Sequence, residues 1–324
     1  MTRPILVALT FFILINPNLS WGQSTGGLRF LDIGADPLSL SLSEAKTAVR
    51  LGTSNMFVNP ANLAFEPASS VGLAHTFWIA DTRNLHAGVN LRKKQQALAF
   101  GVYTSLTSDL QARQTPGASN GSFSWQYYAF AASYAQRIGN ISVGATGMYL
   151  YEQVYLSSAK GFAMNAGLSS QWLEDRIRLA VALQSLGKME PLNATRSEVP
   201  GRVRLGTDIE AAQFSVRGTT EIPVVVRIAA DYVKPISWID QDQGDFNATA
   251  GFEGDLNQAW VSLGLRAEIS ELITLRGGYT TAENQRPFSL GLGVKRYGVE
   301  ADFAFVPFND GYGSAFSMGL NYRF

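Results

Sequence analysis

The chain has no cysteine and only two histidines. The first absence removes disulfides and thiolate metal sites, so stability has to come from packing and backbone hydrogen bonds. Charge is scarce, at 16% of residues, and the net charge is zero. No basic excess is available to hold nucleic acid. Long apolar runs are missing as well. After the first run, Ile5 to Ile15, no segment approaches the ~18 uninterrupted apolar residues of a membrane-spanning helix. A catalytic constellation is also lacking, because no Ser-His-Asp arrangement is plausibly placed. No cofactor signature is present either. Gly291-Leu292-Gly293 falls in a strand pattern with no helix after it, which is not a nucleotide fingerprint.

What is present begins with Arg3, the only charge in the first 28 residues. The short apolar core follows, then Asn16-Pro17-Asn18, and Ser20-Trp21-Gly22 places small residues at −3 and −1 of a cleavage site. The expectation is a secretory signal peptide over 1–22, cut near Gly22/Gln23, with no lipoprotein cysteine. An exported chain without a membrane helix can sit in a membrane only as a closed barrel, because an open sheet leaves backbone groups facing hydrocarbon.

The last residues carry the pattern such a barrel requires. Phe316, Met318, Leu320, Tyr322 and Phe324 fall on one face of an extended strand, and Ser317, Gly319, Asn321 and Arg323 on the other. An apolar row meeting lipid, a polar row meeting the lumen and an aromatic end are how outer-membrane barrels close. Alternating segments recur near 69–79, 83–92, 95–106, 123–137, 139–152, 159–173, 176–186, 201–210, 222–234, 258–268, 271–281, 286–296, 298–306 and 313–324. They predict an all-β transmembrane antiparallel barrel of about 14 strands over 69–324. Turns such as Lys93-Lys94, Ile138-Gly139, Glu174-Asp175 and Tyr297-Gly298 are short and fall on the periplasmic side. The connections 107–122, 153–158, 187–200, 235–257 and 307–312 are longer or rich in Gly, Pro and Asn, as outer loops are. The connection 211–221 is longer than a periplasmic turn should be. A fifteenth alternating segment, 245–255, would invert this asymmetry and is assigned to an outer loop.

Inward positions are charged: Arg202, Arg204, Asp208, Glu210, Arg227, Asp231, Arg266, Glu268, Arg276, Lys295, Glu300, Asp302 and Arg323. Mixed signs fit a salt-bridge network filling a narrow barrel, and a charged solute path is the other reading. Glycines inside the strands leave room for something in the lumen. Residues 23–68 do not alternate and are too apolar for a free tail, so they are read as an N-terminal plug or hatch. Ser43 to Leu51 predicts a short helix, capped by Ser41 or Ser43 and stopped at Gly52. Pro60 holds Asn59 extended in the hatch motif Asn59, Pro60, Ala61 and Leu63.

Three further groups were weighed. If Ala80-Asp81 is a two-residue turn, His75 and His86 are direct cross-strand partners, either a metal or pH-sensing pair or incidental polar positions. Asp240, Asp242 and Asp245 have the spacing of a calcium loop without its closing acid, or are solvated loop charge. Trp78, Trp125, Tyr127, Tyr128, Tyr149, Tyr151, Trp172, Trp260, Tyr279 and Phe324 lie near strand ends or on lipid faces and suit interface girdles.

Several strings together resemble one family. These are F-L-D-I-G-A at 30–35, V-N-P-A-N-L-A at 58–64, V-P-G-R-V-R-L-G at 199–206, L-I-T-L-R-G-G-Y at 272–279, F-S-L-G-L-G-V at 288–294, V-E-A-D-F-A-F-V-P-F at 299–308 and S-M-G-L-N-Y-R-F at 317–324. The chain resembles the PorV/PorQ outer-membrane proteins of Bacteroidetes-type bacteria, which are related to the FadL fatty-acid transporters. It departs from their Gly/Ala run at Pro37 to Glu44. The resemblance implies a FadL-like barrel with an N-terminal hatch. It also implies work in the type IX secretion system, through contacts with translocon or attachment-complex proteins and secreted cargo, after insertion by the barrel-assembly machinery. Uptake of a hydrophobic small molecule, as in FadL, is the alternative. The outer loops 107–122 and 235–257 are polar, which leans toward protein docking.

Overall fold

The computed structural model describes residues 29–111, 122–192, 195–196, 201–217, 221–235, 259–281, 286–309, 311 and 313–324. The signal peptide, its cleavage site, Asp240, Asp242 and Asp245 and the segment 245–255 lie outside these residues.

Alternation of side chains produces a closed antiparallel barrel of fourteen strands. They are β1 (Ser70–Phe77), β2 (Arg83–Lys93), β3 (Gln96–Gln111), β4 (Ser122–Ile138), β5 (Ile141–Val154), β6 (Ser157–Trp172), β7 (Ile177–Met189), β10 (Arg202–Arg217), β11 (Glu221–Pro235), β12 (Trp260–Ile269), β13 (Ile273–Thr280), β14 (Phe288–Arg296), β15 (Val299–Pro307) and β16 (Ser314–Arg323). A two-stranded hairpin, β8 (Pro191–Leu192) and β9 (Thr195–Arg196), stands apart from the wall. Each barrel strand pairs with its neighbour in the chain, β7 pairs β10, and β16 closes on β1. No described helix is long and apolar enough to cross a membrane.

Turn chemistry fixes the register. Tyr297 and Gly298 both have positive φ (52° and 79°), the signature of a two-residue hairpin turn. Most short connections, at 94–95, 139–140, 173–176, 270–272 and 297–298, share one end with the strand termini Ser70 and Arg323, and that end is the periplasmic one; at the other end the expected longer connection over 153–158 is a two-residue turn, Tyr155-Leu156. The long connection at 211–221 disappears. β10 runs on to Arg217 through a bulge between Glu210 and Ala212, and only 218–220 separate it from β11. The apolar positions lose their strict alternation at the bulge, which hid the continuation. β11 pairs β12 directly, so no wall strand lies between them.

The exterior is the apolar row of every strand. Phe316, Met318, Leu320, Tyr322 and Phe324 are 44–59% exposed. The Phe324 N–H, which ends that row, donates to the Ser69 carbonyl at 2.9 Å across the closing seam. Val181 faces outward beside Leu168 and Leu205 in the middle of the wall. Arginine there places a charge in hydrocarbon. We expect Val181→Arg to lower the folding free energy from lipid vesicles by about 2–4 kcal/mol, with Val181→Leu close to neutral. An equal effect of the two substitutions in a denaturant titration would show that this face does not meet lipid.

Candidate functional site in the lumen

The lumen is occupied by residues 29–69 of the same chain. This luminal segment starts in the outer half of the barrel and leaves at the periplasmic mouth, where Arg92 donates to the Glu66 carbonyl. Its helix lies earlier than predicted, over Pro37–Ser41. Pro37 fits the first turn, and the Asp36 carboxylate caps it by accepting from the Ser39 N–H at 2.9 Å. Residues 43–51 form turns instead of the expected helix. Ser43 and Glu44 have φ of 47° and 70°, which no right-handed helix tolerates. Gly52, at φ 63°, opens a 3-10 turn (Gly52–Ser54) that leads into a helical turn (Asn55–Val58).

Asn59 is fully buried and extended, and it caps the 3-10 helix Pro60–Phe65. Its Oδ1 accepts from the Ala61 N–H (3.1 Å), and its Nδ2 donates to the Thr47 carbonyl (3.1 Å) and to Ser169 Oγ (2.9 Å). The Ala61 carbonyl accepts from Ser142 Oγ at 2.8 Å. Leu63 is buried among Met56, Ala97 and Ala135. The four residues therefore tie the segment to β5 and β6. Wall glycines admit this approach. A Cβ at Gly144 would lie 2.6 Å from the Ala61 nitrogen, and one at Gly278 would overlap the Leu42 backbone.

The two sides of the lumen differ in chemistry. From β3 to β6 it holds the main apolar cluster, with Ala129, Ala131, Ala163, Met148 and Leu150 buried together with Met189 of β7, while Glu152 is buried beside Tyr127. Phe30 is seated there between Tyr103 and Tyr127, with ring centroids 5.3 and 5.6 Å away, and it stacks on Tyr127 at 18°. Across the same wall, on the outer surface, an open recess of about 510 Å³ is bounded by Phe130, Gly147, Tyr149 and Phe162. Gly147 leaves its floor as bare backbone.

From β7 to β16 the lumen is charged and almost entirely paired. Asp208 receives Arg178 (2.9 Å), Arg227 (3.2 Å) and Arg266 (3.3 Å). Arg276 bonds Asp302 at 2.5 Å, and Arg323 bonds Glu300 at 2.8 Å. Asp231 Oδ2 joins wall to segment. It accepts from the Lys46 N–H (3.0 Å), the Thr47 N–H (2.9 Å), Thr47 Oγ1 (2.6 Å) and Arg204 Nη2 (2.9 Å). Asp32 pairs with Arg202, Arg50 with Asp175, and Lys46 with Glu44. Burial alone would raise the Glu44 carboxyl, but the Lys46, Arg286 and Arg204 charges hold it below its ordinary value. The network reading of the inward charges describes this side. Glu268 and Lys295 are exposed members at the rim, so they do not line its interior.

Other sequence expectations need correction. His75 and His86 are not partners; His75 lies opposite Leu85, and His86 opposite Ala74. Trp78 and Thr82 still pair (2.8 Å), which leaves the three residues 79–81 as the loop instead of two. One extra residue shifts the register by one and sends the two rings to opposite faces. Tyr127 faces inward onto Phe30, and Trp78 packs on Phe308 under the Arg286 guanidinium, so neither is a girdle residue. Among the described residues no group of His, Asp and Glu is placed to hold a metal ion. The seat of Phe30 and the Asp231 hub had no local signal beyond alternation.

No family model matches the chain, and no curated protein sequence matches it. Solved structures share its fold. The CymD monoaromatic hydrocarbon channel superposes with a TM-score of 0.62 at 14% identity, over 90% of this chain and 98% of that one. The toluene transporter TbuX of Ralstonia pickettii gives 0.58 at 13%, over 89% and 98%. A FadL homologue of Pseudomonas aeruginosa gives 0.51 at 10%, over 89% and 98%. The fold is thus FadL-like, that of an outer-membrane barrel.

Proposed function

We propose that this barrel passes a hydrophobic small molecule through the outer membrane along the apolar side of its lumen, with the luminal segment as the hatch. The observation that carries the reading is the seat of Phe30. A ring-sized slot between Tyr103 and Tyr127, walled by alanine and methionine, is filled by the chain's own aromatic side chain. A phenyl ring held there by about 0.5–1.5 kcal/mol of ring contact beyond burial is one that an aromatic ligand can replace. The external recess behind Ala131, Met148 and Ala163 puts lipid within one strand thickness of the slot. The neighbours of this fold are named as channels and transporters for monoaromatic hydrocarbons and toluene, which agrees in ligand class.

The test is uptake of labelled toluene and of a labelled long-chain fatty acid by cells carrying or lacking the protein. We expect uptake of at least one to depend on the protein, and Ala163→Trp, which adds bulk to the buried cluster that seats Phe30, to return it toward the level of cells without the protein. Equal uptake with and without the protein ends the reading.

A second reading follows from the PorV/PorQ resemblance: a docking barrel of type IX secretion whose outer loops bind translocon or attachment proteins and secreted cargo. The observation that favours it is the filling of the lumen. The cavity between segment and wall beside the β16–β1 seam is about 40 Å³. Loss of secreted-protein display in a strain lacking the protein, with uptake unchanged, would select it. Both readings include export after cleavage near Gly22/Gln23, and insertion by the barrel-assembly machinery through the C-terminal row ending at Phe324.

A further inference from the structure

The hydrogen bonds that hold the luminal segment run mainly to β5, β6, β7, β10 and β11; at the seam where β16, β1 and β2 meet, β2 adds Asn90 Nδ2 to the Leu63 carbonyl (3.4 Å), Arg92 to the Glu66 carbonyl, and His86 Nδ1 beside Ser54 Oγ (3.5 Å). On the seam side the inward face is polar or glycine, with Arg92 on β2 and Arg323 on β16 as its charges. Along β2 it presents Asn84, His86, Gly88, Asn90 and Arg92. Each of these except Gly88 has a buried polar atom with no partner among the described residues: both amide atoms of Asn84, His86 Nε2, Asn90 Oδ1 and Arg92 Nε. The neighbouring Ser70 Oγ on β1 and Asn321 Oδ1 on β16 are in the same state, as is Asp36 Oδ2 of the segment.

A buried amide or imidazole without a partner costs about 1–3 kcal/mol. A row of them on one wall is stable only if water completes them. For Asp36, His86 and Asn321 that room is a cavity of about 40 Å³, bounded also by Thr53, Ala74, Glu300, Asp302 and Arg323; Asn84, Asn90, Arg92 and Ser70 do not border it. At roughly 10–15 Å³ per water centre, it accommodates a short file of molecules. Asn321 and Arg323 lie at its periplasmic end, against Gly72 and Ser70. Thr53 is packed against the wall at Gly72 and Gly88, where a Cβ would strike it.

We propose that the cavity at the β16–β1–β2 seam is hydrated, admitting water from the periplasmic mouth at Asn321 and Arg323 as far as His86. The hydrated pocket then adjoins, across Phe57 and Tyr103, the apolar cluster that seats Phe30. This assignment does not depend on which molecule the apolar side passes, since it uses different residues.

The absence of native cysteine makes the test direct. Single cysteines are placed at Ala74, at the cavity, and at Ala131, on the apolar side; the two alanines are almost equally buried (8% and 6%). The barrel, folded in lipid vesicles, is exposed to a small charged methanethiosulfonate reagent, with folding checked by heat-modifiable mobility. A thiol reacts through its water-accessible thiolate, so we expect Ala74→Cys to be modified about tenfold or more faster than Ala131→Cys. Asn321→Cys at the mouth should react faster than either. If Ala74→Cys does not fold, His86→Cys probes the same cavity. Equal protection of the cavity cysteine and of Ala131→Cys, with both folded, overturns the proposal.

Discussion

Replacing Asp231 with alanine is expected to release the luminal segment while the fourteen strands stay closed. Asp231 and Arg204 are both fully buried, and the carboxylate accepts from two backbone N–H groups, one hydroxyl and the Arg204 guanidinium. Its removal leaves Arg204 with only the Glu44 carbonyl (2.5 Å) and Thr47 Oγ1 (2.9 Å). Breaking a buried pair from one side costs about 3–5 kcal/mol, because the remaining charge is uncompensated. The wall itself keeps its backbone ladder at Asp231, which lies opposite Gly206 and Ser262. The loss therefore falls on the contact between segment and wall. Limited proteolysis of the folded protein in vesicles measures it. Cleavage within 43–55 should accelerate in Asp231→Ala, less so in Asp231→Asn, with the heat-modifiable shift intact in both. Unchanged protease resistance in the alanine variant would show that the other anchors suffice.

Gly144→Leu should have a comparable effect at the other end of the segment. Gly144 faces the lumen, and a Cβ there would stand 2.6 Å from the Ala61 nitrogen and the Pro60 carbonyl carbon. Those are backbone atoms of the Asn59-Pro60-Ala61 turn, which is itself held by Ser142 and Ser169. No rotamer change relieves such a contact, so the cost reaches or exceeds the upper end of the roughly 1–3 kcal/mol of ordinary overpacking. Gly147, three residues along the same strand, faces outward with nothing within 4 Å of its would-be Cβ. Gly147→Leu is the matched control: same strand, same substitution, opposite face. We expect Gly144→Leu to expose 59–65 to protease and Gly147→Leu to leave that segment protected. Equal protection in the two variants would contradict the packing described.

Much of the wall was legible in the chain because a strand reads out one residue at a time. The alternation of Val203, Leu205, Thr207 and Ile209 with Arg202, Arg204, Asp208 and Glu210 separates lipid from lumen without any knowledge of neighbours. Fourteen such segments, short turns on one side and long connections on the other state the barrel and its strand number. Where a single extra residue intervenes, the same logic fails. The three-residue loop at 79–81 and the bulge at Glu210/Ala212 shift the register, and period alone does not reveal either. The helix of the luminal segment was misplaced for a related reason. Apolar spacing favoured 43–51, but the Asp36-Pro37 cap and the left-handed backbone at Ser43 and Glu44 decided otherwise.

The sequence by itself therefore determined the class of molecule: an alternating, cysteine-free chain whose inward charges of both signs must pair with one another. Only the tertiary structure decided what the lumen contains and how it is divided. Phe30 reaches Tyr103 and Tyr127 across 73 and 97 positions of chain, Asp231 reaches Thr47 across 184, and His86 on β2 meets Phe57 from the luminal segment. Such contacts exist only after β16 has closed on β1. Closure brings inward side chains from every strand into one enclosed volume, where a segment with no alternation of its own is held by many residues far from it in the chain.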